Sequence, residues 1–267
     1  MVLEAKHLRK VFQSGALLKK GQEKVAVDDV SFQLKTGESL AIVGESGSGK
    51  STVARLVMRL IEASKGEIVW QGQDVTNMSA RQLRQHRQHI QMVFQDPFAS
   101  LNPRMRIWES VAEGLRVHAP ELNQSQRQEK VADMLERCGL SASTMQRYPH
   151  QFSGGQRQRI GIARALIVKP KVLVLDEPVS ALDVSVQAQI LNLLADIQAD
   201  MGVAYLFISH DLSVVRHIAH RVLVMFQGKV VEEGSVLDVF TKPQHEYTQN
   251  LLAARPITHP SERQDIT

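Results

Sequence analysis

Gly44–Ser51, GESGSGKS, constrains this chain more than any other stretch. The short apolar run SLAIV (39–43) leads into it and the helical pattern STVARLVMRLI (51–61) leads out. Two glycines separated by four residues and followed by Lys and Ser, between a strand and a helix, make a phosphate-binding loop. The glycines let consecutive backbone N–H groups converge on phosphate oxygens where side chains would block approach. The helix that follows turns the positive end of its dipole toward the same anion. Lys50 is placed to reach the β- and γ-phosphates, and the Ser51 hydroxyl to ligate Mg²⁺. The expected phosphate-binding residues are therefore Gly44, Glu45, Ser46, Gly47, Ser48, Gly49, Lys50, Ser51 and the adjacent Thr52. The loop specifies a nucleoside triphosphate and says nothing about its use.

The chain has 267 residues, enough for one large α/β domain with subdomains and a substantial core. Its net charge of +4 comes from scattered basic residues, which argues against a nucleic-acid partner. With Cys138 the only cysteine, no intramolecular disulfide or cysteine-based zinc site is possible. Cys138 falls in an apolar helical pattern and is expected to pack as a small hydrophobe. The opening residues MVLEAKHLRKVF contain no apolar segment of leader length. No apolar run approaches the roughly 18 to 20 residues that span a bilayer. The expectation is an intracellular protein that meets a membrane only through a partner.

Along the chain, residues 2–43 read as three strands, with the polar segment SGALLKKGQEK forming a surface hairpin between the first two. Lys65-Gly66 reads as a helix stop, GEIVWQGQDV as a hairpin turning at Gln71-Gly72, and QMVF (91–94) as a strand. Breakers at Asp96, Pro97, Asn102 and Pro103 open a helical insertion of about 96–155. Within it, Ser125 with Gln128 forms a capping box and Gly139 a stop. From Gln151 the α/β alternation resumes. A helix capped by Ser153 runs to Lys169-Pro170, strand VLVL ends at Asp176, helix Gln187–Met201 follows, and strand VAYLFIS ends at His210. Helix DLSVVRHIAH, hairpin RVLVMFQGKVVEEG, one short helix and a loose polar tail complete the chain. Strands alternating with helices imply a parallel sheet with right-handed crossovers.

Parallel α/β sheets bind ligands outside the carboxyl ends of their strands. Asp176, at the end of one, can hold Mg²⁺, and Glu177 beside it can orient and deprotonate an attacking water. The same pair could instead cap the next helix. His210 ends another buried strand and could donate to the γ-phosphate, or serve as a cap or core histidine. Gln95, at the end of QMVF, could reach Mg²⁺ or the water. Ser153-Gly154-Gly155-Gln156 is a second glycine-rich helix start and so a second anion site, although a cap and a turn explain it equally well. One complete phosphate loop with a spare phosphate-binding helix suggests two chains sharing nucleotides across an interface.

The ordered set GESGSGKS, QMVFQDP, FSGGQRQR, VLVLDEP, SALD and the His of SHDLSVV resembles the nucleotide-binding subunit of an ATP-binding cassette transporter, over residues 2–235. That resemblance implies an α/β, P-loop NTPase fold: a RecA-like core, an N-terminal antiparallel β subdomain and a helical subdomain. The ATPase domain would be 1–237, with 238–267 a C-terminal tail. It implies that Gln95 contacts Mg²⁺ and couples to membrane subunits, that Glu177 is the general base, and that His210 is the switch histidine. Asp183 would lie in the loop that crosses a head-to-tail dimer. Ser153 and Gly155 would contact the γ-phosphate of ATP held by the partner chain. Phe12 falls where such proteins stack an aromatic on adenine, and hairpin core is its alternative.

FQDPFASLNPRMRI and HEYTQNLLAARP are similar to ATPases of dipeptide, oligopeptide and nickel importers, and the whole chain looks like the second of their two ATPase subunits. Phe152 replaces the usual Leu before SGGQ, and Phe12 replaces the commoner Tyr. The implied protein hydrolyses ATP with Mg²⁺ at the cytoplasmic face of the membrane, to import peptides or, alternatively, nickel or another small solute. Its implied partners are a second such ATPase (as a heterodimer or a homodimer), two integral-membrane permeases and a periplasmic or lipid-anchored substrate-binding protein. An exporter ATPase, a non-transport cassette ATPase and a small-molecule kinase are the rival readings.

Overall fold

The computed structural model describes residues 1–14, 22–96 and 100–254. Strands β1 (Leu3–Ser14) and β2 (Gln22–Leu34) pair antiparallel; most of the SGALLKKGQEK segment between them lies outside the described residues. β3 (Ser39–Val43) enters the glycine loop and α1 (Lys50–Val57) leaves it. β4 (Lys65–Trp70) and β5 (Gln73–Asp74) form the expected hairpin, with Gln71 and Gly72 at φ +49 and +80, the left-handed pair of a tight hairpin turn. Lys65-Gly66 does not end a helix. α1 stops at Val57, Arg59 then turns left-handed at φ +50, and Lys65 opens β4.

α2 (Ala80–His86) leads to β6 (Ile90–Val93), and the insertion follows as α3 (Ile107–Val111), α4 (Glu113–His118) and α5 (Gln124–Arg137). The cap of α5 is Asn123 boxed with Gln126, two residues before the expected Ser125 and Gln128. Asn caps at least as well as Ser, so the helix extends back to the earlier one. α6 (Gly154–Leu166) starts at Ser153 as expected but ends short of Lys169. β7 (Val172–Asp176) comes next, and α7 (Val184–Met201) starts three residues earlier than expected because Asp183 caps it. β8 (Ala204–Ile208), α8 (Leu212–Ile218), β9 (Arg221–Phe226) and β10 (Lys229–Ser235) complete the sheets. The tail carries two helices rather than one, α9 (Val236–Thr241) and α10 (Glu246–Ala253). The polar end after Ala254 lies outside the described residues.

The strands form an antiparallel sheet ordered β2-β1-β4-β5 and a larger one ordered β10-β9-β3-β8-β7-β6. The larger sheet is parallel except at β10, which folds back on β9. Its central strands are buried on both faces and split their side chains by the two-residue period of a strand. Ala41, Val43, Leu173, Leu175, Tyr205 and Phe207 face the core shared with the helical insertion. Leu40, Ile42, Val172, Val174, Leu206 and Ile208 face the core shared with α1 and the smaller sheet. The parallel strands β3, β6, β7 and β8 run the same way, so their carboxyl ends collect along one edge.

Cys138 is fully buried, and burial pushes its thiol up to about 12. A thiol reacts as its thiolate. Iodoacetamide at pH 8 is therefore expected to leave Cys138 unmodified in the native chain and to label it in denaturant, as read by intact mass. Labelling of the native chain at the denatured rate would contradict this burial.

Candidate active site

Four strand ends deliver the chemistry. β3 delivers the glycine loop, β6 leads to Gln95, β7 ends in Asp176 with Glu177 next, and β8 is followed by Ser209 and His210. They open onto a cleft of about 780 Å³. Gly44–Gly47, Gly49–Thr52, Gln95, Glu177 and His210 line it, and Phe12 stands among its walls. Ser48 and Asp176 are buried beneath this lining.

The loop is shaped to receive an anion. Gly44, Gly47 and Gly49 have φ +144, +83 and +108. A Cβ on Gly49 would sit 2.4 Å from the carbonyl oxygen of Ala26, so only glycine fits there. No side chain caps α1, and the N–H groups of its first turn have no partner within the helix. Lys50 is nearly buried, and its ammonium donates to the carbonyl oxygens of Gly44 and Glu45, each at 2.7 Å. Burial lowers the Lys50 pKa against the pull of Glu177, Asp176 and Glu45.

The carboxylates are held differently. Ser51 donates its hydroxyl to Asp176 Oδ1 at 3.0 Å. Burial raises the Asp176 pKa, partly offset by the Ser51 bond, and nearby Glu177 pushes the same way as burial. Glu177 has a φ of +48, a left-handed backbone costly for a residue with a side chain and concentrated at functional sites. Gln95 Nε2 donates to Glu177 Oε2 at 3.1 Å, and His210 Nδ1 lies 3.2 Å from the same oxygen. Glu177 therefore joins the ends of three strands at one point, with its side chain only 17% exposed.

Phe12 is 42% exposed, unlike a residue of the hairpin core, and Lys10 Nζ stands 5.1 Å from its ring centre. Ser153, Gly154, Gly155 and Gln156 do not line this cleft. Ser153 and Gln156 box the start of α6, with Ser153 N–H donating to Gln156 Oε1 at 3.0 Å. Gly154 and Gly155 lie against Leu182 and Val186, on either side of Asp183. Asp183 accepts from Val186 N–H at 3.0 Å and from the Ser185 hydroxyl at 2.8 Å, bonds that lower its pKa. The structure thus makes two groups: one around the glycine loop, and a second that combines the α6 start with the α7 cap. Lys24, Ala26 and Leu251 also line the cleft, and sequence reasoning missed all three. Lys24 pairs with Phe12 in the β1–β2 register, a relation that fixed strand pairing alone could have exposed.

Residues 27–180 match the ABC transporter family. The chain belongs to that family. It is 51% identical to the oligopeptide transport ATP-binding protein OppF of Haemophilus influenzae, over 97% of this chain and 80% of that protein. Identity is also 51% to the oligopeptide transport ATP-binding protein AppF of Bacillus subtilis, over 96% of this chain and 79% of that one. The glutathione import ATP-binding protein GsiA of Shigella flexneri is 54% identical over 93% of this chain, which spans 40% of its length. Among solved ABC structures, the dimeric post-hydrolysis state of the cassette MJ0796 bound to ADP and Pi superposes with a TM-score of 0.78 at 28% identity. That match covers 88% of this chain and 98% of the other. The α/β core with a P-loop, expected from the sequence, is the fold of this family.

Proposed function

We propose that this chain is the ATP-hydrolysing subunit of an importer that carries peptides across the cytoplasmic membrane. The observation that carries the hydrolytic reading is Glu177, held by Gln95 and His210 on the cleft that Lys50 and Ser51 also line. The peptide cargo rests on relatives named for oligopeptide transport that align with nearly the whole chain.

In this reading the first-turn N–H groups of α1 and the Lys50 ammonium hold the β- and γ-phosphates. The Phe12 ring stacks on adenine. The Ser51 hydroxyl, the Asp176 carboxylate and the Gln95 carbonyl are hard oxygen donors, which fits Mg²⁺, an ion usually held through one or two carboxylates beside phosphate and water. Bound there, Mg²⁺ would neutralise charge on the β- and γ-oxygens. Glu177 accepts a proton from the attacking water, Gln95 keeps the carboxylate aimed, and His210 contacts the γ-phosphate. Ser153 to Gln156 serve the ATP of a second ATPase chain, and Asp183 crosses the same interface.

Among the described residues no helix is long and apolar enough to cross a membrane. In this reading the chain works peripherally, on two permeases fed by a substrate-binding protein. Residues 1–237 are the ATPase domain and 238–267 its tail. The partner ATPase is a related chain in a heterodimer, or a second copy.

Reconstituting the chain with its permeases, binding protein and partner ATPase in proteoliposomes tests the reading. Peptide is expected to stimulate release of free phosphate and to accumulate inside. Nickel uptake without a peptide response would move the cargo to the alternative, and a phosphorylated small molecule in place of free phosphate would refute transport. In the same assembly Ser153→Ala is expected to slow hydrolysis at the partner's site about a hundredfold. A full-rate variant would remove Ser153 from that role.

A further inference from the structure

The tail motif HEYTQNLLAARP supplies Leu251 to the cleft wall, and its helix α10 also reaches the glycine loop itself. The Glu45 N–H donates to the Tyr247 hydroxyl at 3.0 Å, across 202 residues of chain. That N–H belongs to the same peptide group as the Gly44 carbonyl, which accepts from Lys50 Nζ at 2.7 Å. A trans peptide is planar and points its N–H and C=O in opposite directions. Tyr247 and the Lys50 ammonium therefore grip one rigid group from two sides, and rotating it would break both bonds.

We propose that Tyr247 is a positioning residue of the nucleotide site, setting the Gly44–Glu45 peptide and through it the Lys50 ammonium that meets the phosphates. The inference rests on the reading of Gly44–Ser51 as the nucleotide site.

Tyr247 is itself well fixed. Its ring packs on Phe226 with centroids 4.3 Å apart at 33°, and Phe226 ends β9, the neighbour of β3 in the sheet. The start of α10 is tied to β10, where the Glu232 carboxylate accepts from the N–H groups of Gln244 and His245 at 2.9 and 3.1 Å. Burial alone would raise the Glu232 pKa, but the nearby Thr248 hydroxyl and those two N–H groups outweigh burial and hold it below its usual value. One turn beyond Tyr247, on the same helix face, Leu251 lines the cleft. The tail is thus anchored at the hairpin, stacked on the sheet and bonded to the loop.

Tyr247→Phe keeps the ring and removes only the hydroxyl. Titrated calorimetrically with Mg²⁺ and the non-hydrolysable analogue AMP-PNP, the full-length variant is expected to bind about fivefold more weakly than the parent. In a Lys50→Met background the same change is expected to cost under about twofold, because the group it positions is gone. A role confined to stability would lower the melting temperature and leave the affinity untouched. Parental affinity in Tyr247→Phe would overturn the proposal. An equal loss in the Lys50→Met background would also overturn it, since Tyr247 would then act by another route. If the parent chain itself fails to bind AMP-PNP, the nucleotide-site reading falls and this inference falls with it.

Discussion

Glu177→Gln is expected to cut ATP turnover about a thousandfold in the assembled complex while ATP binding stays within a few-fold of the parent. The amide matches the carboxylate in shape, and its oxygen can still accept from Gln95 Nε2, now 3.1 Å from Glu177 Oε2. What it loses is the capacity to take a proton. The Glu177 backbone stays where β7 and the bond from its N–H to the Ile208 carbonyl at 3.0 Å place it, so the loop that binds phosphate is undisturbed. Phosphate release and AMP-PNP titration on the same preparation separate the two quantities. Turnover within tenfold of the parent would mean that another group takes the proton.

Gly49→Ala should abolish nucleotide binding and destabilise the chain as well. At φ +108 a side chain is strained, on the order of 1–3 kcal/mol. Its Cβ would lie 2.4 Å from the Ala26 carbonyl oxygen, a backbone atom on the adjacent sheet that cannot swing aside. Overpacking of this kind costs about 1–3 kcal/mol more. Together these predict a melting temperature roughly 5–15 °C lower. Because Gly49 is the residue from which α1 starts, relief of the clash must also turn the first-turn N–H groups away from the phosphates. AMP-PNP is therefore expected to raise the melting temperature of the parent and not of the variant. A variant that melts with the parent and keeps the full nucleotide shift would show that the loop tolerates a side chain there.

How much was legible in advance depended on the range of the interaction. The Ser153 cap, the Gly139 stop and the turn at Gln71-Gly72 involve groups within a few residues of one another, and local chemistry selects them. The misreadings were also local. Asn123 and Ser125 both cap well, and only the path of the chain into α5 chose between them. Asp183 capping α7 was missed because an acidic residue after SAL satisfies loop and cap equally. Lys24, Leu251 and Tyr247 carried no local signal at all. Lys24 reaches the cleft through strand register and Leu251 through helix docking, and the Tyr247 bond to the glycine loop at Glu45 closes a loop of 202 residues.

Ser209 and His210 after β8, and Gln95 after β6, lie between these extremes. Apolar runs marked the strands, and a parallel sheet put their ends on one edge. Neither argument could state that Gln95 and His210 meet on one oxygen of Glu177.

The phosphate loop, the carboxylate pair ending a buried strand and the class of fold were determined by residue type and spacing alone, because glycine conformation, strand burial and helix dipoles act over a few residues. The convergence of Gln95, Glu177 and His210, the pairing of the α6 start with the α7 cap, and the grip of Tyr247 on the glycine loop were decided only by tertiary structure. Strand order and helix docking bring distant residues within about 3 Å of each other, the range at which hydrogen bonds form, and no spacing along the chain records that approach.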